Sequence, residues 1–130
     1  MKYKFEQDPI SRVILVHILL DEWYELKMVL DTAASSTTFD TNALVVSGCQ
    51  IGDIIGTNLV ETSSGIMQVD IIKTGAISVF GHTVRRMNVQ IYDFLKHGIL
   101  SDYNGLLGLD FFENTEFRIN MKNQTIEVVG

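Results

Sequence analysis

A chain of 130 residues, 46% of them hydrophobic and only one of them proline, is sized for a single folded domain and holds no linker or low-complexity tract. Ten Lys and Arg against sixteen Asp and Glu give a net charge of -6, a field that repels polyanions and argues against nucleic-acid binding. The single cysteine, Cys49, excludes an internal disulfide and fits a reducing compartment. Lys2, Lys4 and Glu6 stand where a leader would need its apolar run, and no apolar stretch reaches the roughly 18 residues of a membrane span. A cytoplasmic protein without a membrane partner, starting near Met1, is expected.

In chain order, the branched apolar run Val13 to Leu20 and the alternating run Glu25 to Leu30 flank Asp21 and Glu22 and read as a hairpin. Its second arm runs into Asp31-Thr32-Ala33-Ala34-Ser35, a cluster of small and polar residues placed in the loop beyond a buried strand, where function concentrates. Ser36 to Phe39 suits a short strand. Asp40 then caps a helical turn or two over Thr41 to Val46, which stops near Gly48.

From Ile54 to Tyr92 the period is that of strands. Met67, Val69 and Ile71 alternate with Gln68 and Asp70, and Met87, Val89 and Ile91 alternate with Asn88 and Gln90, so each run should have one packed and one wet face. Ser63-Ser64-Gly65 and Gly81-His82 read as hairpin turns. Arg85 and Arg86, the one basic pair, would point to opposite faces of a strand. After an irregular stretch from Asp93 to Asn104 come the apolar Gly105-Leu106-Leu107-Gly108, a helical turn over Leu109 to Asn114, a strand carrying Phe117, Ile119 and Met121, a turn at Lys122 to Gln124 and a last strand over Thr125 to Val129. The fold class is mainly β with one or two short helices.

Other chemistry is poorly supported. His17 sits in an apolar run as a core or strand-edge residue, His82 in a turn and His97 in a loop, with no metal-ligand spacing. No metal or cofactor is expected. Cys49 follows a short helix and Gly48 without an activating neighbour. Asp110 reads as a helix-starting or capping residue, Asp102 as a solvated charge, and Trp23 as a packed turn residue with an exposed partner contact as the other possibility.

Two segments give the pattern its identity. The strand Leu26 to Leu30 running into Asp31-Thr32-Ala33-Ala34-Ser35 resembles the Asp-Thr-Gly-Ala-Ser loop of the single-domain, retropepsin-like aspartic peptidases. Beyond the intervening hairpins, Gly105-Leu106-Leu107-Gly108-Leu109-Asp110 is similar to that family's apolar-apolar-Gly segment and following helix. The resemblance spans Val13 to Val129 of one domain covering residues 1–130. It implies an acid-protease fold, a closed or partly open β-barrel, with Asp31 catalytic, Thr32, Ala33, Ala34 and Ser35 forming the active-site loop, and Thr62, Ser63, Ser64, Gly65 and Ile66 at the tip of a substrate-covering flap. It further implies that Thr32 hydroxyls lock two such loops together.

The chemistry explains why one copy would be half an enzyme. Hydrolysis without metal or covalent intermediate needs one group to take a proton from water and another to give one. Two carboxylates about 3 Å apart do both, because they cannot both ionise and so share one proton. The chain holds a single Asp-Thr-Ala-Ala segment, so the second aspartate would come from a twofold-related copy. The expected activity is that of a homodimeric aspartic endopeptidase acting on extended or unfolded polypeptide. Ala33, where the family has glycine, leaves open a dimeric peptide-binding module that keeps the fold without hydrolysis.

Overall fold

The computed structural model describes residues 1–48, 51–62, 65–97 and 102–129. Two short strands that the sequence pattern did not reveal come first, β1 (Lys2–Lys4) and β2 (Glu6–Gln7). The predicted hairpin follows as β3 (Ile14–Leu20) and β4 (Tyr24–Leu30), joined through Asp21 and Glu22 at φ 55° and 60°, a left-handed turn built without glycine. Trp23 in this turn is 81% exposed rather than packed, because Val16, Ile18, Leu20, Leu26, Met28 and Leu30 already fill the buried face.

β5 (Thr38–Asp40) begins two residues later than the pattern suggested. Asp40 then caps α1 (Thr41–Ser47) by accepting from the Asn42 amide, and Gly48 ends the helix in the left-handed conformation, φ 87°. The long hairpin β6 (Ile54–Thr62) and β7 (Gly65–Lys73) is followed by β8 (Ala76–Val79), β9 (His82–Arg85) and β10 (Asn88–Tyr92). Arg86 lies past the end of β9 at φ 57°, its N–H on the Gly75 carbonyl, so Arg85 and Arg86 do not share a strand. The chain closes with β11 (Gly105–Leu107), a 3-10 helix (Leu109–Phe112), β12 (Glu116–Asn120) and β13 (Thr125–Val129), which leaves Met121 in the turn.

The strands form two sheets. One is β1-β13-β12; the other runs β6-β7-β10-β5-β11-β4-β3-β8-β9, with β2 added against β3. Among the described residues this path is open at β6 and β9, so the sheet is not a closed barrel. One apolar core, including Ile18, Met28, Phe39, Leu44, Ile77, Val89, Leu107, Phe111 and Ile126, draws on both sheets and both helices.

The centre of the large sheet positions the segment 31–37. β11 is inserted between the strands that enter and leave that segment, parallel to β4 (Leu107 opposite Leu30) and antiparallel to β5 (Leu106 opposite Thr38). Gly105 makes this possible, since a Cβ there would collide with the Thr38 carbonyl and the Met28 side chain. Just upstream, Asn104 extends the ladder: its side-chain oxygen accepts from the Lys27 N–H at 2.8 Å and its carbonyl accepts from Asp40 at 2.8 Å.

Candidate active site

Asp31 stands where β4 ends. Its N–H donates to the Leu107 carbonyl at 3.0 Å, so the neighbouring strand carries it one residue beyond the parallel ladder. The chain then turns: Ala34 N–H donates to the Asp31 carbonyl at 3.1 Å, and Ala33 N–H donates to Asp31 Oδ1 at 2.9 Å. Asp31 as a residue is half-buried, and Thr32 and Ala33 beside it are exposed. Ala33 is not among the residues with positive φ. The backbone here therefore does not demand glycine, and alanine keeps the N–H that orients the carboxylate.

Gly108, Thr37 and Asp110 hold this loop from beneath. Gly108 passes so close that a Cβ would lie 2.7 Å from the Ser36 carbonyl carbon and 2.8 Å from the Ala34 oxygen. Its N–H donates to Thr37 Oγ1 at 3.1 Å, while the Thr37 hydroxyl donates to Asp110 Oδ1 at 2.7 Å. The Thr37 N–H is shared between the two Asp110 oxygens at 3.0 and 2.9 Å, and the Leu109 N–H donates to Ala34 at 2.8 Å. Thr37 is fully buried. Asp110 thus sits in the first turn of the 3-10 helix, but its carboxylate spans to the loop and makes no cap, since the helix has none from a side chain. Charge-assisted bonds of this kind are among the stronger ones.

Beside the loop opens a cleft of about 380 Å³. Ala33 to Ser36 form one wall, Asn58 to Glu61 of β6 the other, and Thr38, Gln90, Tyr92 and Leu106 the floor. Asp31 and Thr32 lie at its edge and do not line it. The predicted flap is therefore the distal part of a longer hairpin, with Thr62 opposite Gly65. Ser63 and Ser64 lie outside the described residues. Ile66 is 73% and Leu59 67% exposed.

Gln90 departs from the expected wet face, being only 8% exposed. It stands opposite Thr38 in the parallel β5/β10 ladder, and the Thr38 hydroxyl donates to its Oε1 at 3.3 Å. The period-2 pattern identified its face correctly, but that face looks into the cleft and not into open solvent. Burial, with the Asp40 carboxylate second, raises the Tyr92 phenol above its ordinary value, so Tyr92 stays a neutral hydroxyl at the same floor.

The remaining candidates are dispersed. His17 lies on the exposed face of β3 between Glu6 at 3.5 Å and Glu25 at 3.0 Å. His82 opens β9, and its Nε2 donates to the Phe111 carbonyl at 3.2 Å while its ring meets the Phe111 ring edge-on, bracing the 3-10 helix. His97 packs edge-on to Tyr92, Asp102 is exposed, and Cys49 lies outside the described residues. Among the described residues there is no group of three or more His, Cys, Asp or Glu able to hold a metal ion, and no helix long and apolar enough to cross a membrane.

Compared with known proteins, the sequence matches no protein-family model and no curated protein. Its fold does have a solved counterpart. The crystal structure of a retropepsin-like aspartic protease from Rickettsia conorii is similar over 99% of this chain and 92% of that one, with a TM-score of 0.70 and 16% sequence identity. At that identity the likeness speaks for architecture alone. With the Asp31 loop threaded around β11 and a long hairpin walling the adjacent cleft, the chain has the fold of a retropepsin-like aspartic protease.

Proposed function

We propose that the chain is one half of a homodimeric aspartic endopeptidase, with Asp31 of each copy supplying one carboxylate of a shared dyad. The observation that carries this reading is the Asp31 carboxylate itself. It belongs to a half-buried residue on a loop held from beneath by β11 and Asp110, accepts from Ala33 N–H, and precedes by two residues the wall that Ala33 to Ser36 give to the cleft. A twofold-related copy would bring the second Asp31 to such a group.

In the dimer the two carboxylates, unable to ionise together, hold one proton between them. The ionised member takes a proton from a water placed between them, and the protonated member gives one to the carbonyl oxygen of the peptide. Thr32, exposed in the single chain, is the residue placed to bond across the axis. The β6/β7 hairpin closes over an extended substrate and excludes bulk water. Ala33 is compatible with hydrolysis, because its backbone is outside the positive-φ region that would call for glycine. The cytoplasm suits this reading, with the one thiol kept reduced.

The test is cleavage of a denatured protein between about pH 4 and 7 by wild type and Asp31→Asn, with the mass in solution measured in parallel. Cleavage by wild type alone, rising with dimer concentration, is expected. Equal cleavage by both, cleavage by neither, or a chain that stays monomeric at every concentration defeats the reading.

A further inference from the structure

The floor of the cleft carries a polar group that the dyad does not use. Gln90 is more than nine-tenths buried, and its carboxamide has one partner among the described residues, the Thr38 hydroxyl at 3.3 Å. No buried side-chain nitrogen or oxygen among them is left without a partner, so the other end of the amide is open to the cleft that Gln90 lines. A hydrogen-bonding group presented at the floor of a cleft favours a ligand atom that replaces its water, since a ligand that displaces the water without restoring the bond is penalised.

The hydroxyl of Thr38 has one proton and two acceptors in reach, Gln90 Oε1 at 3.3 Å and the Ser36 carbonyl at 3.4 Å. The Gln90 amide can therefore turn either its nitrogen or its oxygen to the cleft. A carboxamide complements both orientations most fully, because it offers two N–H donors and a carbonyl acceptor side by side where a hydroxyl offers a single donor. An acidic side chain meets the opposite circumstance, because Glu61 lines the facing wall and Asp31 stands at the edge. An aliphatic one would strand the Gln90 amide.

Resting on the endopeptidase reading of this cleft, we infer that Gln90, oriented by Thr38, is a specificity-determining residue that selects polypeptide substrates with asparagine or glutamine at the position seated on the cleft floor. The peptide backbone supplies affinity along the hairpin, and this one pocket supplies discrimination. Such a pocket rejects the isostere that lacks the hydrogen-bonding groups more strongly than an apolar pocket rejects a missing methylene.

The experiment uses a set of extended peptides in which Asn, Leu or Asp, three near-isosteric side chains, is walked through an otherwise constant sequence. Binding to the Asp31→Asn protein and cleavage by wild type are both read. At one position Asn should be favoured over Leu by about tenfold and over Asp by at least as much. Gln90→Leu should reverse the first preference, and Thr38→Val, which frees the amide but keeps it, should weaken it only. Thermal unfolding of both variants confirms that they are folded. Cleavage with no preference for Asn at any position, or a preference unmoved by Gln90→Leu, overturns the inference and leaves the endopeptidase reading standing. Selective binding of Asn peptides without cleavage by wild type supports the pocket and defeats hydrolysis. No binding of any peptide overturns both.

Discussion

The two walls of the cleft are built on opposite physical terms. The Asp31 loop is enclosed: β11 runs between its flanking strands, Gly108 touches its backbone, and the buried Thr37 is bonded on both its N–H and its hydroxyl by Asp110. The β6/β7 hairpin is cantilevered. Among the described residues, only Asp70 to Lys73 of β7 pair with β10, and from Val69 outward the two arms have no sheet neighbour but each other. Ile54, Ile55, Leu59 and Ile66 on it are all more than half exposed. Segments with few buried contacts open at low free energy, while densely bonded ones open only with the whole fold. On the proposed endopeptidase reading, the first wall would hold reacting groups still and the second would move over a substrate.

Substitutions can break this comparison in graded steps. Asp31→Asn keeps the acceptor for Ala33 N–H and should leave unfolding free energy within about 0.5 kcal/mol of wild type, while peptide cleavage falls roughly a thousandfold. A large loss of stability instead would mean that the carboxylate serves the fold. Next in size, Asp110→Ala orphans the buried Thr37 donors and Gly108→Ala forces a methyl against Ser36, each lowering stability by about 2 to 3 kcal/mol in urea unfolding. Activity should fall with it, because the loop loses its support.

On the hairpin the same measurements should separate. Leu59→Ser or Ile66→Ser is expected to change stability by less than about 0.5 kcal/mol yet weaken peptide binding several-fold, and a stability loss as large as that of Asp110→Ala would erase the contrast between the walls. The smallest effect is a pH dependence outside both walls, at Asp93 beside the floor residue Tyr92. The Lys96 N–H, and after it the Asn42 amide, hold the Asp93 carboxyl below its ordinary value of 3.8. A depressed folded-state value contributes stability above 3.8 that disappears as pH falls through the lower one. The small stability difference between wild type and Asp93→Ala should therefore be present near neutrality and close in strong acid.

Much of the strand order was legible from local pattern. Apolar periodicity located β3, β4, β7, β10, β12 and β13 closely, and Asp40 and Gly48 marked both ends of α1 through capping groups that act within a few residues. The misses have two causes. β1 and β2 are too short to carry a period and exist because distant strands, β13 and β3, pair with them. Trp23 and Arg86 sit where left-handed turns lacking glycine bend the chain, which residue type alone did not announce.

The site divides along the same line. Its chemistry was written in the chain: one Asp-Thr-Ala-Ala-Ser loop, one Gly-Leu-Leu-Gly segment, and a length with room for a single copy of each. Asp110 read as a cap and Gln90 as a wet strand residue, because their partners, Thr37 and Thr38, are remote in sequence. The sequence by itself determined the residue types and the strand periods, which follow from local stereochemistry. Only the tertiary structure decided that Asp110 supports the loop, that Ala33 needs no left-handed backbone, and that the polar face of β10 looks into a cleft, since hydrogen-bond partners and burial depend on what the folded chain brings alongside.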